Sequence, residues 1–104
     1  MQRLIEQPTG DGEILDGTTY VGRVHYHLSV YQQFSEGDGD PVPTSLAVEG
    51  RLSPRESLDL KALHRRRSEF VLRLADGRVL TFSLSNSGGT IRSTGRGLIA
   101  SLAS

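Results

Sequence analysis

Residues 20–34 read YVGRVHYHLSVYQQF, and apolar and polar side chains alternate along this stretch. One face carries apolar side chains (Tyr20, Val24, Tyr26, Leu28, Val30), and the other carries mainly polar ones (Arg23, His25, His27, Ser29, Gln33). A period of two predicts an antiparallel strand that is buried on one face. Because the stretch is much longer than a usual strand, we expect it to bend, with Gly22 as the place for the bend.

A second strand is predicted over residues 44–52. Leu46, Val48 and Leu52 share one face of it, and charged side chains occupy much of the other. Gly50 lies inside this strand, which is typical of a bulge.

Residues 68–85 predict a β-hairpin whose register follows from its apolar side chains. Each of its strands carries an alternating triplet: Phe70, Leu72 and Leu74, then Leu80, Phe82 and Leu84. A two-residue turn would place the two triplets on opposite faces of the sheet. A three-residue loop, 75–77, pairs Leu72 with Leu80 and gives Gly77 the left-handed conformation. We therefore predict a type I turn followed by a glycine bulge.

The tetrapeptide 53–56, SPRE, has the layout of a helix start, with a serine cap, a proline and a glutamate three residues after the cap. Leu60 and Leu63 lie three apart and would contact the sheet from a short helix. An extended structure fits residues 54–64 as well, so both interpretations stay open. In either case the segment ends before Ser68.

These segments define the fold class. A weak strand at 13–15, a strand that includes 90–92 and an apolar end at 98–102, which either forms an edge strand or frays, bring the total to five or six strands. We predict a mostly β, single domain over residues 1–104. Its architecture is a small antiparallel β-barrel or curled sandwich with at most one short helix.

Composition limits the protein class. The 104 residues include no cysteine, so disulfides and thiolate chemistry are excluded. The sequence has no run of about 18 apolar residues, the length that a membrane-spanning helix needs, and its opening residues lack the long apolar stretch of a secretion signal. We expect a cytoplasmic protein that does not associate with membranes.

Charge is divided unevenly along a chain whose formal net charge is zero. Residues 1–50 contain two basic and eight acidic side chains, whereas residues 51–104 contain ten basic and four acidic ones. Such a chain can neutralise itself across strand pairs, dimerise head to tail, or present a basic face to an anion.

The arginines of the second half are the candidate anion-binding residues. They are Arg65, Arg66, Arg67, Arg73, Arg78 and Arg92. Guanidinium groups suit phosphate, and nucleic-acid binding also needs exposed aromatic rings for base stacking. Tyr31, on the polar face of the long strand, is the aromatic residue that we expect to be exposed.

We expect no metal and no cofactor. His25 and His27 point to the same side of the long strand, but the sequence pattern places no carboxylate beside them as a further metal ligand. The acidic loop 36–40 resembles the start of a calcium loop. However, Pro41 stands where the turn glycine is needed, and Ala47 stands where the bidentate glutamate is needed.

No nucleophile elbow, P-loop or dinucleotide fingerprint is present, so we predict that the protein is not an enzyme. The preferred hypothesis is a small binding module that acts by protein association, with itself or with another protein. An uncovered strand edge, such as the C-terminal segment, would serve for self-association. The first alternative is a phosphate-bearing ligand, nucleic acid or nucleotide, on the arginine-rich face. The second is an enzyme of unrecognised class with a site built from scattered residues.

Overall fold

A computed structural model describes residues 2–37, 39–55, 58–66 and 68–99. These residues form seven strands and one short helix. In chain order the elements are β1 (Gln2–Glu6), β2 (Thr9–Asp16), β3 (Thr19–Ser35), β4 (Val42–Pro54), α1 (Leu60–Arg66), β5 (Phe70–Arg73), β6 (Val79–Leu84) and β7 (Thr90–Ile99). The prediction of a mostly β protein with at most one short helix is confirmed. Within the described ranges, no helix is long and apolar enough to cross a membrane.

The strands form one antiparallel sheet in the order β1-β3-β2-β5-β6-β7-β4. Because β3 also pairs with β4, six of the strands, β2 to β7, close into a ring that resembles a barrel. β1 lies outside this ring, on the same edge of β3 as β2, where it pairs with residues 30–33 that β2 leaves unpaired. β1 is the strand that the sequence did not predict.

A bulge at Val21 bends the long strand β3. Ile14 of β2 pairs with Gly22, but the next residue, Leu15, pairs with Tyr20, so Val21 is an extra residue in β3. The bend therefore lies beside the predicted glycine. The prediction that Tyr20 shares the apolar face is wrong, since the bulge shifts the alternation and leaves Tyr20 49% exposed.

The predicted hairpin register is confirmed. Leu72 pairs with Leu80 and Phe70 with Phe82. The Gly77 N–H donates to the Leu74 carbonyl at 3.1 Å, and Gly77 has a φ of 93°. The loop therefore has the turn hydrogen bond and the left-handed glycine that the three-residue connection requires.

The ring encloses an apolar core to which every strand except β1 contributes. Its buried members are Ile14, Val24, Tyr26, Leu28, Val30, Val48, Leu52, Leu60, Leu63, Phe70, Leu72, Leu74, Leu80, Phe82 and Ile91. Tyr26 is 3% exposed, and its hydroxyl oxygen accepts a hydrogen bond from the Ala75 N–H at 3.1 Å. This bond fastens the hairpin loop to β3.

Gly50 serves close packing rather than a bulge. It pairs with Leu28 in an unbroken part of the β3–β4 register, so the predicted bulge is wrong. A Cβ at this position would lie 2.3 Å from the His27 carbonyl oxygen, which only glycine avoids. The irregularity of this strand pair lies between Gln32 and Phe34 instead.

The helix starts later than the serine-proline signal predicts. β4 continues through Ser53 to Pro54, and the Arg55 N–H still donates to the Arg23 carbonyl at 2.9 Å. Pairing with β3 thus satisfies the backbone hydrogen-bonding groups that would otherwise form the first turn of a helix. α1 is capped by Asp59, whose Oδ1 accepts a hydrogen bond from the Ala62 N–H at 3.2 Å.

β7 is an interior strand of the sheet, whereas the sequence suggested a C-terminal edge. It pairs with β4 over residues 90–92 and with β6 as far as Ile99. The last part of the predicted apolar end, 100–102, lies outside the described residues.

Candidate binding surface

Arg78, a candidate for anion binding, is held by two carboxylates. Its terminal nitrogens donate to both carboxylate oxygens of Glu6 at 2.9 and 2.7 Å, and its Nε donates to Asp76 Oδ2 at 2.8 Å. The hydrogen bond from Arg78 holds the pKa of Glu6 below its usual value, and the two carboxylates raise the pKa of Arg78. This guanidinium is therefore already neutralised.

Two more arginines of the second half bind carboxylates of the first. Arg66 pairs with Asp16 and also lies over the Phe70 ring, with 5.7 Å between its guanidinium carbon and the ring centre. Arg55 Nε donates to Asp11 Oδ1 at 3.1 Å, and the same oxygen lies 3.1 Å from His25 Nδ1. Hydrogen bonds from Arg55 and then His25 lower the pKa of Asp11. The two halves of the chain thus neutralise one another at three places.

The remaining candidate arginines are dispersed. Arg65 is exposed on α1, and Arg67 lies outside the described residues. Arg73 on β5 is opposite Val79, and Arg92 on β7 is opposite Ser83. These two positions on β6 are four residues, about 13 Å, apart. The five candidate arginines that the structure describes therefore do not form one cluster, and anion binding stays a prediction.

An apolar row crosses the outer surface of the sheet beside the ring. Leu4 of β1 pairs with Tyr31 of β3, and Tyr31 pairs with Ala47 of β4. Directly paired residues point to the same face, so the three side chains are neighbours. Tyr31 is half-buried in this row, whereas the sequence predicted an exposed side chain.

Polar side chains surround the row. Gln2, Gln33, Glu49 and Arg92 lie around Tyr31 and Ala47 and line a depression of about 310 Å³ with them. We call this surface the Tyr31 face; it consists of Leu4, Tyr31, Ala47, Gln2, Gln33, Glu49 and Arg92. Glu49 and Arg92 are opposite each other in the β4–β7 register, yet neither forms an ion pair within the described part of the chain. An aromatic and apolar centre with a polar rim is typical of protein interfaces.

β1 gives this surface an open edge. One edge of β1 pairs with β3, and no described strand pairs with the other. Leu4 and Ile5 are 45% and 53% exposed there. Leu4 pairs with Tyr31 while Glu6 pairs with the adjacent Val30, so Ile5 forms a bulge.

The histidines on the outer face have no metal-site geometry. No group of three or more His, Asp or Glu side chains suited to a metal occurs among the described residues. Asp11, His25 and Ser53 do lie in one cross-strand row, with the residue types of a catalytic triad. However, His25 makes no hydrogen bond to Ser53, Asp11 and Ser53 are exposed and His25 is half-buried, so these three residues do not form an activated nucleophile in the structure.

Comparison with protein-family models, with curated proteins and with solved structures found no significant match to this chain.

Sequence reasoning missed Leu4, Ile5 and Glu49. Alternation could not reveal β1, because the bulge interrupts it after three residues. The available signal was an adjacent apolar pair, Leu4-Ile5, between the charged residues Arg3 and Glu6.

Proposed function

We propose that the protein is a non-enzymatic binding module that associates with protein through the open edge of β1 and the adjoining Tyr31 face. The observation that carries this proposal is the exposure of Leu4 and Ile5 on an edge strand whose second edge pairs with no strand among the described residues. Such an edge presents unpaired backbone N–H and C=O groups to another strand, and most proteins protect it with lysine, proline or a covering segment.

Burial of the exposed side chains on β1 would also favour association. Covering the exposed halves of Leu4 and Ile5 would contribute about 1 kcal/mol each, since full burial of such a side chain contributes about 1.5–3 kcal/mol. New backbone hydrogen bonds and the half-buried Tyr31 ring would add to this. Glu49 and Arg92 are available to select a partner whose charges are complementary to theirs.

Internal charge pairing also supports association over anion binding. Arg55, Arg66 and Arg78 are occupied by Asp11, Asp16 and Glu6. The field that a basic second half would otherwise present to a phosphate is correspondingly reduced.

Proximity labelling in the source cells tests the proposal. A Leu4→Lys/Ile5→Lys variant places two charges on the open edge, where both side chains already contact solvent. Val42→Lys is the matched control, because Val42 is 58% exposed and lies on β4, across β3 from β1. We expect a set of proteins labelled by the wild type and the control to be lost with the edge variant. The same set for all three proteins would refute the proposal.

A phosphate-bearing ligand is the second candidate, and it is favoured by one observation. Arg92, without an ion pair among the described residues, shares a depression with Tyr31. A guanidinium beside an aromatic ring can bind a nucleotide phosphate while the base stacks on the ring. Amide NMR titration with short single-stranded RNA at low and high salt tests this, and salt-sensitive shifts around Tyr31 and Arg92 are the expected result. An unchanged spectrum would eliminate it.

We place the protein in the cytoplasm and expect no membrane partner, on the basis of its cysteine-free composition and the absence of a long apolar run.

A further inference from the structure

We infer that the β1 edge binds a second copy of this chain, by antiparallel pairing of the two β1 strands about a twofold axis. The inference rests on the proposed function, since it names the partner of the same edge. Charge complementarity between β1 and itself carries it.

The bulge at Ile5 creates this complementarity. Arg3 pairs with Gln32 and Glu6 pairs with Val30. Gln32 and Val30 are two residues apart on β3 and therefore point to the same face. Arg3 and Glu6 consequently share a face as well, although in a regular strand residues three apart point to opposite faces.

A twofold axis between Leu4 and Ile5 places each of these residues opposite the other in the second copy. The same axis places Arg3 opposite Glu6 of the second copy, and Glu6 opposite its Arg3. Directly opposed antiparallel residues must point to the same face, and the bulge satisfies this requirement for the charged pairs. Two opposite-charge contacts therefore result.

Both charged groups are available for this contact. Arg3 is exposed and forms no ion pair within the described ranges. Glu6 is 44% exposed and is fixed in place by Arg78, which keeps it ionised. A carboxylate has about four acceptor positions, so Glu6 can accept from a second guanidinium while it keeps its bonds to Arg78.

Charge exchange at the two positions tests the register. Sedimentation equilibrium over a range of concentrations should show the wild type and the conservative variant Arg3→Lys as dimers. In Arg3→Glu the introduced carboxylate is opposite Glu6 of the second copy, and in Glu6→Arg the introduced guanidinium is opposite Arg3 of the second copy. Each variant therefore opposes like charges when it pairs with itself, and alone it should associate at least tenfold more weakly. An equimolar mixture of the two variants restores both opposite-charge contacts and should form a heterodimer.

Several outcomes would overturn the inference. One is a wild type that stays monomeric at all concentrations, and another is an Arg3→Glu variant that dimerises as strongly as Arg3→Lys. Since Glu6→Arg also removes the bonds to Arg78, circular dichroism must show that it is folded. If it is not, the comparison of Arg3→Glu with Arg3→Lys decides alone. A monomeric wild type whose labelled proteins still depend on Leu4 and Ile5 would refute the second copy and leave the proposed association with another protein in place.

Discussion

Replacing Tyr26 with phenylalanine removes one hydroxyl group and keeps the buried ring. The hydroxyl accepts the hydrogen bond from the Ala75 N–H at 3.1 Å, so the variant leaves this donor without its partner. No cavity forms, because the ring that packs in the core is unchanged. Since Ala75 itself lies in an exposed loop, water partly replaces the lost acceptor, and we expect a cost of about 1 kcal/mol rather than the upper limit of about 3 kcal/mol.

Thermal and urea denaturation measure this cost. For a chain of this size, about 1 kcal/mol corresponds to a decrease in Tm of about 4–8 °C. Tyr31→Phe is the matched control. The Tyr31 hydroxyl makes no hydrogen bond within the described part of the chain, so its loss should change stability by less than about 0.5 kcal/mol.

A second background isolates the hydrogen bond. Ala75 occupies the first central position of the turn, where proline is favoured, and Ala75→Pro removes the N–H donor. In that background Tyr26→Phe should cost nothing, or should stabilise the fold by relieving the contact between the proline ring and the hydroxyl. A full cost of Tyr26→Phe in the proline variant, or equal effects at Tyr26 and Tyr31, would refute the assignment of the effect to this bond.

Three further predictions concern the backbone, the ion pairs and the helix cap. Gly50→Ala should destabilise the fold by about 2–3 kcal/mol in urea denaturation, because its Cβ would lie 2.3 Å from the His27 carbonyl oxygen. Arg78→Gln should flatten the acid dependence of stability. Arg78 lowers the pKa of Glu6, so the stability from this pair is present above about pH 4.5 and is lost as the pH falls through the lowered pKa. Urea denaturation midpoints measured between about pH 5 and about pH 2 will follow this loss. Asp59→Ala should cost about 1 kcal/mol, measured by thermal denaturation, because it removes the cap of α1.

Each of these predictions has a control that should change stability by less than about 0.5 kcal/mol. Gly37→Ala adds a Cβ with nothing within 4 Å, Arg65→Gln removes an arginine that has no ion pair among the described residues, and Ser53→Ala alters the serine that resembled a helix cap. If a control and its partner variant behave alike, the corresponding contact is not the cause of the effect.

Local pattern was sufficient for the parts of the fold whose strands stay regular. The alternation from Val24 to Val30 and the two apolar triplets of the hairpin predicted buried faces and a register that the structure has. Bulges caused two of the failures, since one extra residue reverses which side chains face the core. The bulge at Val21 turned Tyr20 outward, and the bulge at Ile5 concealed β1.

The candidate surface depended on strand order, which sequence periodicity does not contain. Glu6 and Arg78 meet because the loop between β5 and β6 lies near the end of β1, although the two residues are 72 positions apart in sequence. Arg92 lies near Tyr31 because β7 pairs with β4 and not with β3. The sequence therefore predicted the residue types that could bind an anion, but could not predict which carboxylates would occupy them.

The position of β7 between β4 and β6 also has a consequence for how the chain folds. The ring closes through β2–β5 and β4–β7 pairs whose members are far apart in the sequence, so neither closure forms until most of the chain is in place. Such non-local pairing is typical of folding on a millisecond-to-second timescale. Until β7 docks, the edges of β4 and β6 have no partner strand, and misassembly between chains can compete with folding there.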